Sequence, residues 1–306
     1  MKKTAKSLRC FLMVAIVLCV LSGAALAEDI GYLPLRDTFE GIGCEVAWYS
    51  ETPEDIFVRI GDQMLMFKNH ANVIITDEGI FHTARETYIK DGRTYVSEDA
   101  LELVKNINLY HNAIEDCETM EASELHPLFA IDDTADKVLV CTWHRYPETY
   151  VEGETITIRH GQVWVTVADE ILNSGDMGSG DAFILRMEQL IGLPPQKHYS
   201  HFTLMWVDPK DIFRPAQDSS VNKTDITLGF PEGTDEAHKQ WFYDNQKYSY
   251  TPHRYPWTGM GYTYDWADNG TEYGYSEYIV RDGAVVSVEK TYTNTEFENL
   301  LRQGAN

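Results

Sequence analysis

The residues best suited to acid–base or metal chemistry are histidines in the C-terminal half of the chain. His198 and His201 form the only close pair of histidines, and on a helix this spacing would let both imidazoles reach one metal ion. The sequence HFTLMWV (201–207) predicts a strand instead, on which residues three apart point to opposite faces. A zinc ion would also need a further ligand, such as His144 or His160. We therefore predict no metal and no cofactor, with hydrogen-bonded or exposed histidines as the default interpretation.

Signals for nucleophilic or nucleotide chemistry do not occur in the sequence. The segment GSG (178–180) lacks the glycines two residues before and after the serine that a nucleophile elbow requires. The segment GMG (259–261) lacks the third glycine and the following helix of a dinucleotide-binding fingerprint. Acidic residues near apolar segments are Glu170, Glu188, Asp208 and Asp211. Because the chain has 48 acidic residues, such proximity is expected by chance, and we predict no acid–base pair among these four.

The aromatic stretch from 262 to 275 is a second candidate site, since it holds four Tyr and one Trp. Asn269 and Gly270 predict a two-residue turn, because both residue types tolerate the positive φ of a type I′ hairpin. The cross-strand pairs that this turn predicts are Trp266 with Tyr273, Tyr264 with Tyr275, and Tyr262 with Glu277. Such a face packs into the core or forms a platform for sugar rings or peptide, and core packing is the default interpretation.

If these aromatic residues form a platform, the candidates for contact with a glycan are Trp257, Tyr262, Tyr264 and Trp266. A calcium loop is a poorer interpretation of the same stretch. Between Asp265 and Gly270 the oxygen-bearing residues lack the alternating spacing that aims successive ligands at one ion. Ligand contact in this stretch would therefore be made by stacking.

The first 27 residues have the features of a signal peptide. An apolar run from 11 to 21 follows a basic head and is shorter than the roughly 20 residues of a membrane span. Residues 25–27 read ALA, the small-x-small pattern of a cleavage site. We expect a secreted or extracytoplasmic protein, at the cell surface or released, with no membrane span after cleavage. An uncleaved anchor is the alternative.

The chain is strongly acidic, with 25 Lys and Arg against 48 Asp and Glu and a formal net charge of −23. Cleavage after Ala27 would remove four basic residues and no acidic one, which makes the mature chain more acidic still. Such a surface repels nucleic-acid phosphates and anionic lipid headgroups. We therefore predict no nucleic-acid partner.

Three cysteines follow the leader, at Cys44, Cys117 and Cys141. Their number and spacing fit neither a disulfide framework nor a zinc site. One bridge between Cys117 and Cys141 is compatible with an oxidising compartment, and three free thiols are an equally open alternative.

An acidic segment separates two parts of the chain that differ in their predicted secondary structure. Between 112 and 127 the chain reads NAIEDCETMEASELHP, which lacks a strand pattern and predicts a linker or connecting helix. The predicted boundaries are a signal peptide (1–27), an N-terminal domain (28–106), an acidic linker (107–127) and a C-terminal domain (128–306).

Both domains mix strands and helices without the regular alternation of a doubly wound sheet, which predicts the α+β class. The N-terminal domain is a small β-rich module with predicted strands at 46–49, 56–60 and 64–67, a hairpin at 88–96 and a helix after Ser97. The larger C-terminal domain has predicted strands at 137–144, 155–160, 162–167 and 201–207. Its predicted helices lie at 181–193, at 235–245 and after the capping box Thr293/Glu296, and a hairpin is predicted through 281–283.

Two stretches of the N-terminal part carry a family resemblance. GYLPLRDTFEGIGCEVAWYSETPEDIFVRIG (31–61) and IKDGRTYVSEDALELV (89–104) are similar to the copper amine oxidase N-terminal-like domain of bacterial surface proteins. The agreement lies in YLPLR (32–36), Gly43, Trp48 and DGRTYV (91–96). The opening strand of the first cycle is missing, and SED (97–99) stands where the pattern has Pro-Leu-Arg. The resemblance implies a stalk-like module, and it does not imply copper.

Two functions from different classes are compatible with these features. The first is a non-catalytic extracytoplasmic protein, in which a stalk-like module displays a C-terminal domain that binds cell-wall polysaccharide or peptidoglycan. The second is a secreted hydrolase, in which His144 or His201 acts with a carboxylate as general acid and base. The lack of a recognisable catalytic motif favours the binding protein.

Overall fold

The structure is a computed structural model that describes residues 31–159, 161–251 and 254–304. The predicted signal peptide therefore lies outside the described residues, as does His160. The chain divides into two compact units, which meet in the sequence between Asn108 and Leu109. Both units combine helices with antiparallel strands, so that the α+β class is confirmed. None of the described helices is both long and apolar enough to cross a membrane.

The N-terminal unit contains two antiparallel sheets, with strand orders β1-β8-β7 and β2-β3-β4-β5-β6. Its strands are β1 (Tyr32–Pro34), β2 (Glu45–Trp48), β3 (Asp55–Ile60), β4 (Gln63–Lys68), β5 (Val73–Thr76), β6 (Gly79–His82), β7 (Tyr88–Lys90) and β8 (Arg93–Ser97). Its helices are α1 (Leu35–Glu40) and the first part of α2 (Asp99–Cys117). The predicted strands at 46–49, 56–60 and 64–67 and the hairpin at 88–96 are confirmed.

Strand alternation places the core of this unit on one face of the five-stranded sheet. Ile56 and Val58 in β3 and Leu65 and Phe67 in β4 are buried, as the period of two predicts. Phe39 of α1 packs on Phe67 with ring centroids 5.4 Å apart. The short helix is therefore fixed by the sheet that it covers.

Helix α2 occupies part of the segment that was predicted to be an acidic linker. Residues 107–117 are helical, and a short 3₁₀ turn, Ala122–Glu124, follows them. Val104, Ile107, Tyr110 and Ile114 are buried at three- and four-residue spacing, which is the pattern of an amphipathic helix. The acidic residues of α2, Asp99, Glu102, Glu115 and Asp116, are exposed and do not interrupt the helix.

The C-terminal unit contains a seven-stranded sheet of order β10-β17-β12-β9-β11-β16-β13 and the separate pair β14-β15. Its strands are β9 (Val138–His144), β10 (Thr155–Thr157), β11 (Val163–Val167), β12 (His201–Val207), β13 (Ile212–Phe213), β14 (Tyr262–Tyr264), β15 (Tyr273–Ser276), β16 (Tyr278–Val280) and β17 (Val285–Thr293). Its helices are α3 (Ala168–Leu172), α4 (Asp181–Leu190), α5 (Glu236–Tyr250) and α6 (Asn294–Gly304). The predicted capping box of α6 is confirmed, because the Thr293 N–H donates to Glu296 Oε2 at 2.8 Å.

The predicted hairpin through 281–283 is wrong, although the residues do form a turn. Strands β16 and β17 are not paired with each other, since β11 and β13 flank β16 while β10 and β12 flank β17. In a flat sheet the two strands would lie four spacings, or about 19 Å, apart. Val280 and Val285 are five residues apart in the chain, which spans at most about 18 Å. The sheet must therefore curve, and its side chains enclose one apolar cluster that contains both Val280 and Val286.

The predicted two-residue turn at Asn269-Gly270 is also wrong. Tyr264 pairs with Tyr273 and Tyr262 with Ser276, and the connecting loop runs from 265 to 272. Asp265 accepts two hydrogen bonds of 2.7 Å from Arg186 on α4. This ion pair comes from a distant part of the sequence and fixes the start of the loop.

The three cysteines of the described chain, Cys44, Cys117 and Cys141, are free thiols and all three are buried. Burial raises the pKa of Cys44 to about 11 and raises the pKa of Cys117 and Cys141 as well. Thiols in such surroundings behave as small apolar side chains.

Candidate functional site

A cavity of about 750 Å³ lies in the C-terminal unit and is the strongest candidate for a functional site. Its volume falls in the range of cavities that bind small molecules. Aromatic side chains dominate its wall, among them Trp143, Trp164, Tyr199, Tyr248, Tyr255 and Trp257. Flat apolar rings of this kind are suited to stacking on a ligand that also has a flat apolar face.

The cavity wall combines strands of the curved sheet with helix α5. Trp143 lies on β9 and Trp164 on the neighbouring strand β11. Asn245, Tyr248 and Ser249 of α5 also line the cavity, and their i, i+3, i+4 spacing places them on one face of the helix. The indole N–H of Trp241 on α5 donates to Gln162 Oε1 at 2.9 Å, which ties the helix to the start of β11.

The mouth and the inner end of the cavity differ in exposure. Tyr248 is 56% exposed and Trp164 is 37% exposed, so that both rings are accessible from solvent. Trp257 is only 6% exposed and packs on Phe242 with ring centroids 5.0 Å apart. A ligand that enters past the exposed rings reaches a buried inner wall.

Three polar atoms on residues that line the cavity have no hydrogen-bond partner among the described residues. They are Asn245 Nδ2, Trp257 Nε1 and Glu277 Oε2, and each atom is itself buried, with an accessible surface below 1 Å². Buried polar atoms are almost always hydrogen-bonded in native proteins, because an unpaired one costs roughly 1–3 kcal/mol. Three such atoms around one cavity are therefore typical of a site that completes its hydrogen bonds with a ligand or water.

Glu277 is the only carboxylate among the described residues that line this cavity. Burial raises its pKa to about 8, since the apolar wall disfavours the charged form. The Trp257 indole lies close enough to lower this pKa in part, yet the two groups do not meet in normal hydrogen-bond geometry. At neutral pH the carboxyl group is therefore mainly protonated, and it offers one donor and one acceptor.

Positive charges lie close to the aromatic rings of the cavity. Lys197 Nζ donates to the Tyr255 hydroxyl at 2.6 Å and stands over the rings of Tyr255 and Tyr199 at 5.1 and 5.7 Å. Arg145 covers the ring of Tyr146 at 5.4 Å, and Arg159 itself lines the cavity. Three cations therefore lie at or near the cavity of a strongly acidic protein.

The structure brings the two predicted histidines together, with the rings of His144 and His201 6.3 Å apart. His144 lines the cavity, but both of its nitrogens are hydrogen-bonded. Nδ1 accepts from the Tyr146 N–H at 3.0 Å, so the proton must be on Nε2, which donates to Thr203 Oγ1 at 2.7 Å. Burial, together with the neighbouring His201, lowers the pKa of His144 to about 4. This neutral ring is held as a structural group.

The four aromatic residues predicted for ligand contact lie in two different places. Trp257 and Tyr262 line the large cavity. Tyr264 and Trp266 line a separate groove of about 350 Å³. In that groove the Trp266 indole N–H donates to the Leu193 carbonyl at 2.9 Å, and the Tyr264 hydroxyl donates to Asp116 at 2.8 Å. The polar atoms of these two side chains are thus already satisfied within the fold.

An acidic cluster lies beside this groove. Oxygens of Asp116, Glu124 and Glu272 come within 4.8 Å of one another. Burial and the two neighbouring carboxylates raise the pKa of Glu124. Oxygen ligands of this type suit a hard cation, but exposed acidic groups also come together without one.

The sequence did not identify several residues of the cavity wall, namely Trp164, Asn245, Tyr248 and Tyr255. It also did not identify Glu277 as a polar contact. Glu277 was assigned as the cross-strand neighbour of Tyr262, but Tyr262 pairs with Ser276 instead. One available signal was the aromatic density of the segment from Tyr248 to Trp257, which holds four Tyr or Trp residues in ten positions. These residues are far from β9 and β11 in the sequence, so the sequence did not show that all of them line one cavity.

None of the curated proteins compared with the chain matches it. A family model, described as the Copper amine oxidase N-terminal domain, matches residues 24–111. The match contains both stretches on which the sequence resemblance rests, and it ends before the strands that line the cavity. The N-terminal unit is therefore a domain of the copper amine oxidase N-terminal type.

Proposed function

We propose that this protein is a non-catalytic extracytoplasmic binding protein whose C-terminal unit binds a sugar ring of cell-wall polysaccharide or peptidoglycan. The cavity of that unit is the binding site, and the N-terminal unit is a stalk-like module. The signal-peptide features of the first 27 residues and the acidic composition support a location outside the cytoplasm. The family match supports the assignment of the N-terminal unit.

The observation that carries this proposal is an aromatic cavity with unpartnered polar atoms in its wall. Sugars combine apolar ring faces, which stack on Trp and Tyr, with groups that both donate and accept hydrogen bonds. The wall offers the same combination, since Trp257, Asn245 and Glu277 all line it. The wall is thus complementary both to the apolar ring faces and to the hydrogen-bonding groups of a sugar.

The hydrolase alternative receives less support from the geometry. His144 is held in one tautomer by two hydrogen bonds, and its lowered pKa makes it a weak base. Glu277 lines the cavity without a second carboxylate beside it among the lining residues. Glycoside hydrolysis normally needs two carboxyl groups that flank the scissile bond.

A binding assay with purified peptidoglycan and cell-wall polysaccharide tests this proposal. We expect saturable binding of the purified protein, and a loss of about tenfold or more in affinity for Trp257→Ala, because stacking on this ring is lost. Trp206→Ala is the matched control, since this exposed tryptophan of β12 lies in the same unit and does not line the cavity. The control variant should bind like the wild type.

Circular dichroism and thermal unfolding must first show that Trp257→Ala is folded. Absence of saturable binding to either material would refute the proposal. Equal binding by the wild type and a folded Trp257→Ala variant would refute the cavity as the site. Turnover of the polysaccharide that is lost in His201→Ala without loss of folding would establish the hydrolase instead.

A further inference from the structure

The unpartnered atoms on the cavity-lining residues indicate which hydrogen-bonding groups the ligand must have. Trp257 Nε1 and Asn245 Nδ2 are hydrogen-bond donors, and Glu277 Oε2 is an oxygen that can accept. The ligand therefore needs an oxygen with two acceptor lone pairs and at least one donor. A secondary amide provides both within a single planar group, through its carbonyl oxygen and its N–H.

We propose that the cavity recognises an N-acyl amino sugar, whose acylamino group binds between Trp257, Asn245 and Glu277; this inference rests on the saccharide-binding function proposed above. The amide carbonyl accepts from the Trp257 indole and the Asn245 amide, and the amide N–H donates to Glu277. Because the three atoms are buried, their side chains must turn toward the cavity when the ligand binds. The acyl methyl group lies against aromatic rings of the wall. No covalent step is involved.

The surroundings of the three polar groups favour an amide with an attached methyl over a hydroxyl group. Trp257 is 6% exposed and Tyr275 is 5% exposed, so that the inner wall is apolar around the unpartnered atoms. A hydroxyl has a single oxygen for all of these contacts and adds no apolar surface. An acylamino group spans a longer distance, and its methyl gains free energy from burial.

The charge of the cavity disfavours a free amine as the recognised group. Cation–π contact is a common way to bind an ammonium group in an aromatic cage. Here Lys197 and Arg145 already stand over the rings of Tyr199, Tyr255 and Tyr146. Arg159 lines the cavity itself, whereas Lys197 and Arg145 lie over rings of residues that line it. An ammonium ligand would be repelled by these like charges, whereas a neutral amide would not.

Isothermal titration calorimetry with matched oligosaccharides tests this inference. The two main ligands are β-1,4 oligomers of N-acetylglucosamine and of glucose with equal length, which differ only at the acylamino position. We expect the N-acylated oligomer to bind the purified protein at least about tenfold more tightly, because a site built to hydrogen-bond a group rejects the analogue that lacks it. The deacetylated amine oligomer and an N-acetylated dialanine peptide complete the series, and both should bind more weakly than the N-acylated sugar.

Two conservative variants connect this preference to the named groups. Trp257→Phe keeps a stacking ring but removes the N–H, and Glu277→Leu removes the acceptor with little change in volume. In each variant the ratio of affinities for the two main oligomers should fall several-fold, while the glucose oligomer binds nearly as it does to the wild type. A loss of affinity that is equal for both oligomers would assign these residues a purely structural role and would overturn the inference.

The remaining outcomes separate this inference from the function on which it rests. Equal affinity for both main oligomers, with loss of both in Trp257→Ala, would leave a saccharide site but refute N-acyl recognition. Tighter binding of the amine oligomer would show a cation site, and binding of the dialanine peptide alone would show a peptide site; each result overturns the inference. Failure of every saccharide to bind would refute the proposed function itself.

Discussion

Two tryptophans of the C-terminal unit, Trp257 and Trp266, have nearly the same burial but different hydrogen bonding. They are 6% and 2% exposed. The Trp266 N–H donates to the Leu193 carbonyl, whereas the Trp257 N–H has no partner among the described residues. The ring of Trp266 packs edge-on against Tyr110, and the ring of Trp257 faces a cavity of about 750 Å³. Burial alone therefore does not distinguish a structural aromatic residue from a candidate binding residue, whereas the count of unsatisfied polar atoms does.

The largest loss of stability is expected from a substitution in the β14-β15 pair, whose connecting loop contains Trp266. At Gly274 on β15 an added Cβ would collide with the backbone oxygens of Leu190 and Thr263. We expect Gly274→Ala to lower the free energy of unfolding by about 3 kcal/mol or more, because backbone on both sides cannot move independently. Urea unfolding measures this change. Gly304→Ala, where the added Cβ would have its nearest neighbour at 3.7 Å, should have little effect.

Loss of the ion pair at the start of the β14-β15 loop is expected to cause the next largest loss of stability. The side chain of Asp265 is 1% exposed and is paired with Arg186 through two hydrogen bonds. Arg186→Met should lower the free energy of unfolding by about 3 kcal/mol, since it leaves a buried carboxylate without its cation. Arg36→Met breaks the exposed pair with Glu40 in the N-terminal unit and should cost less than about 1 kcal/mol. Equal costs for the two variants would contradict the structural role of Asp265.

The cavity, unlike the loop that contains Trp266, is expected to make the stability of the protein depend on pH, because Glu277 has a raised pKa. The carboxyl group ionises near pH 4.5 in the unfolded chain and near pH 8 in the folded protein. Between these values the unfolded state is favoured increasingly as pH rises, so that Glu277 lowers the stability of the wild type. Glu277→Gln should therefore gain stability relative to the wild type progressively as pH increases from 4.5 to 8.

The difference between variant and wild type is the quantity to measure by urea unfolding at several pH values. Glu188 also has a pKa raised by burial, to about 7, and contributes the same trend to both proteins. A difference that is constant with pH would show that Glu277 is ionised in the folded protein at neutral pH. That result would contradict the account of a neutral carboxyl group in the cavity.

A paired substitution tests the comparison between the two tryptophans directly. Trp266→Phe removes the donor to the Leu193 carbonyl and should cost about 1–2 kcal/mol of stability. Trp257→Phe breaks no hydrogen bond of normal geometry within the described residues, and it should cost less than about 1 kcal/mol. Thermal or urea unfolding of both variants gives the two values. A larger cost for Trp257→Phe would indicate that its N–H is bonded within the fold.

Much of the fold follows from local patterns in the sequence. The strand HFTLMWV was predicted at 201–207 and β12 has these bounds, and Thr293 with Glu296 predicted the start of α6. The incorrect hairpin through 281–283 and the incorrect two-residue turn at Asn269-Gly270 were both predicted from turn residues alone. Their true connections depend on contacts from distant segments, namely β11 and β13 beside β16, and Arg186 beside Asp265.

The candidate site could be predicted only in part. Composition indicated Trp257 as a contact, and the structure places it in the cavity, whereas it places Trp266 in a separate groove. Asn245 and Glu277 carry no local signal, because their importance comes from their lack of partners in the folded protein. A sequence pattern can show which side chains a region has, but the accounting of hydrogen bonds requires the packed structure.

The indole N–H resonances of the tryptophans give the most direct test of the account. In a ¹⁵N-labelled sample, titration with the N-acetylglucosamine oligomer should shift the Trp257 indole resonance in a saturable way, because this N–H gains a hydrogen-bond acceptor. The Trp266 indole resonance should stay unchanged, since its N–H already donates to Leu193. A saturable shift of Trp266 with no change at Trp257, or no shift at either, would contradict the claim that the cavity is the binding site.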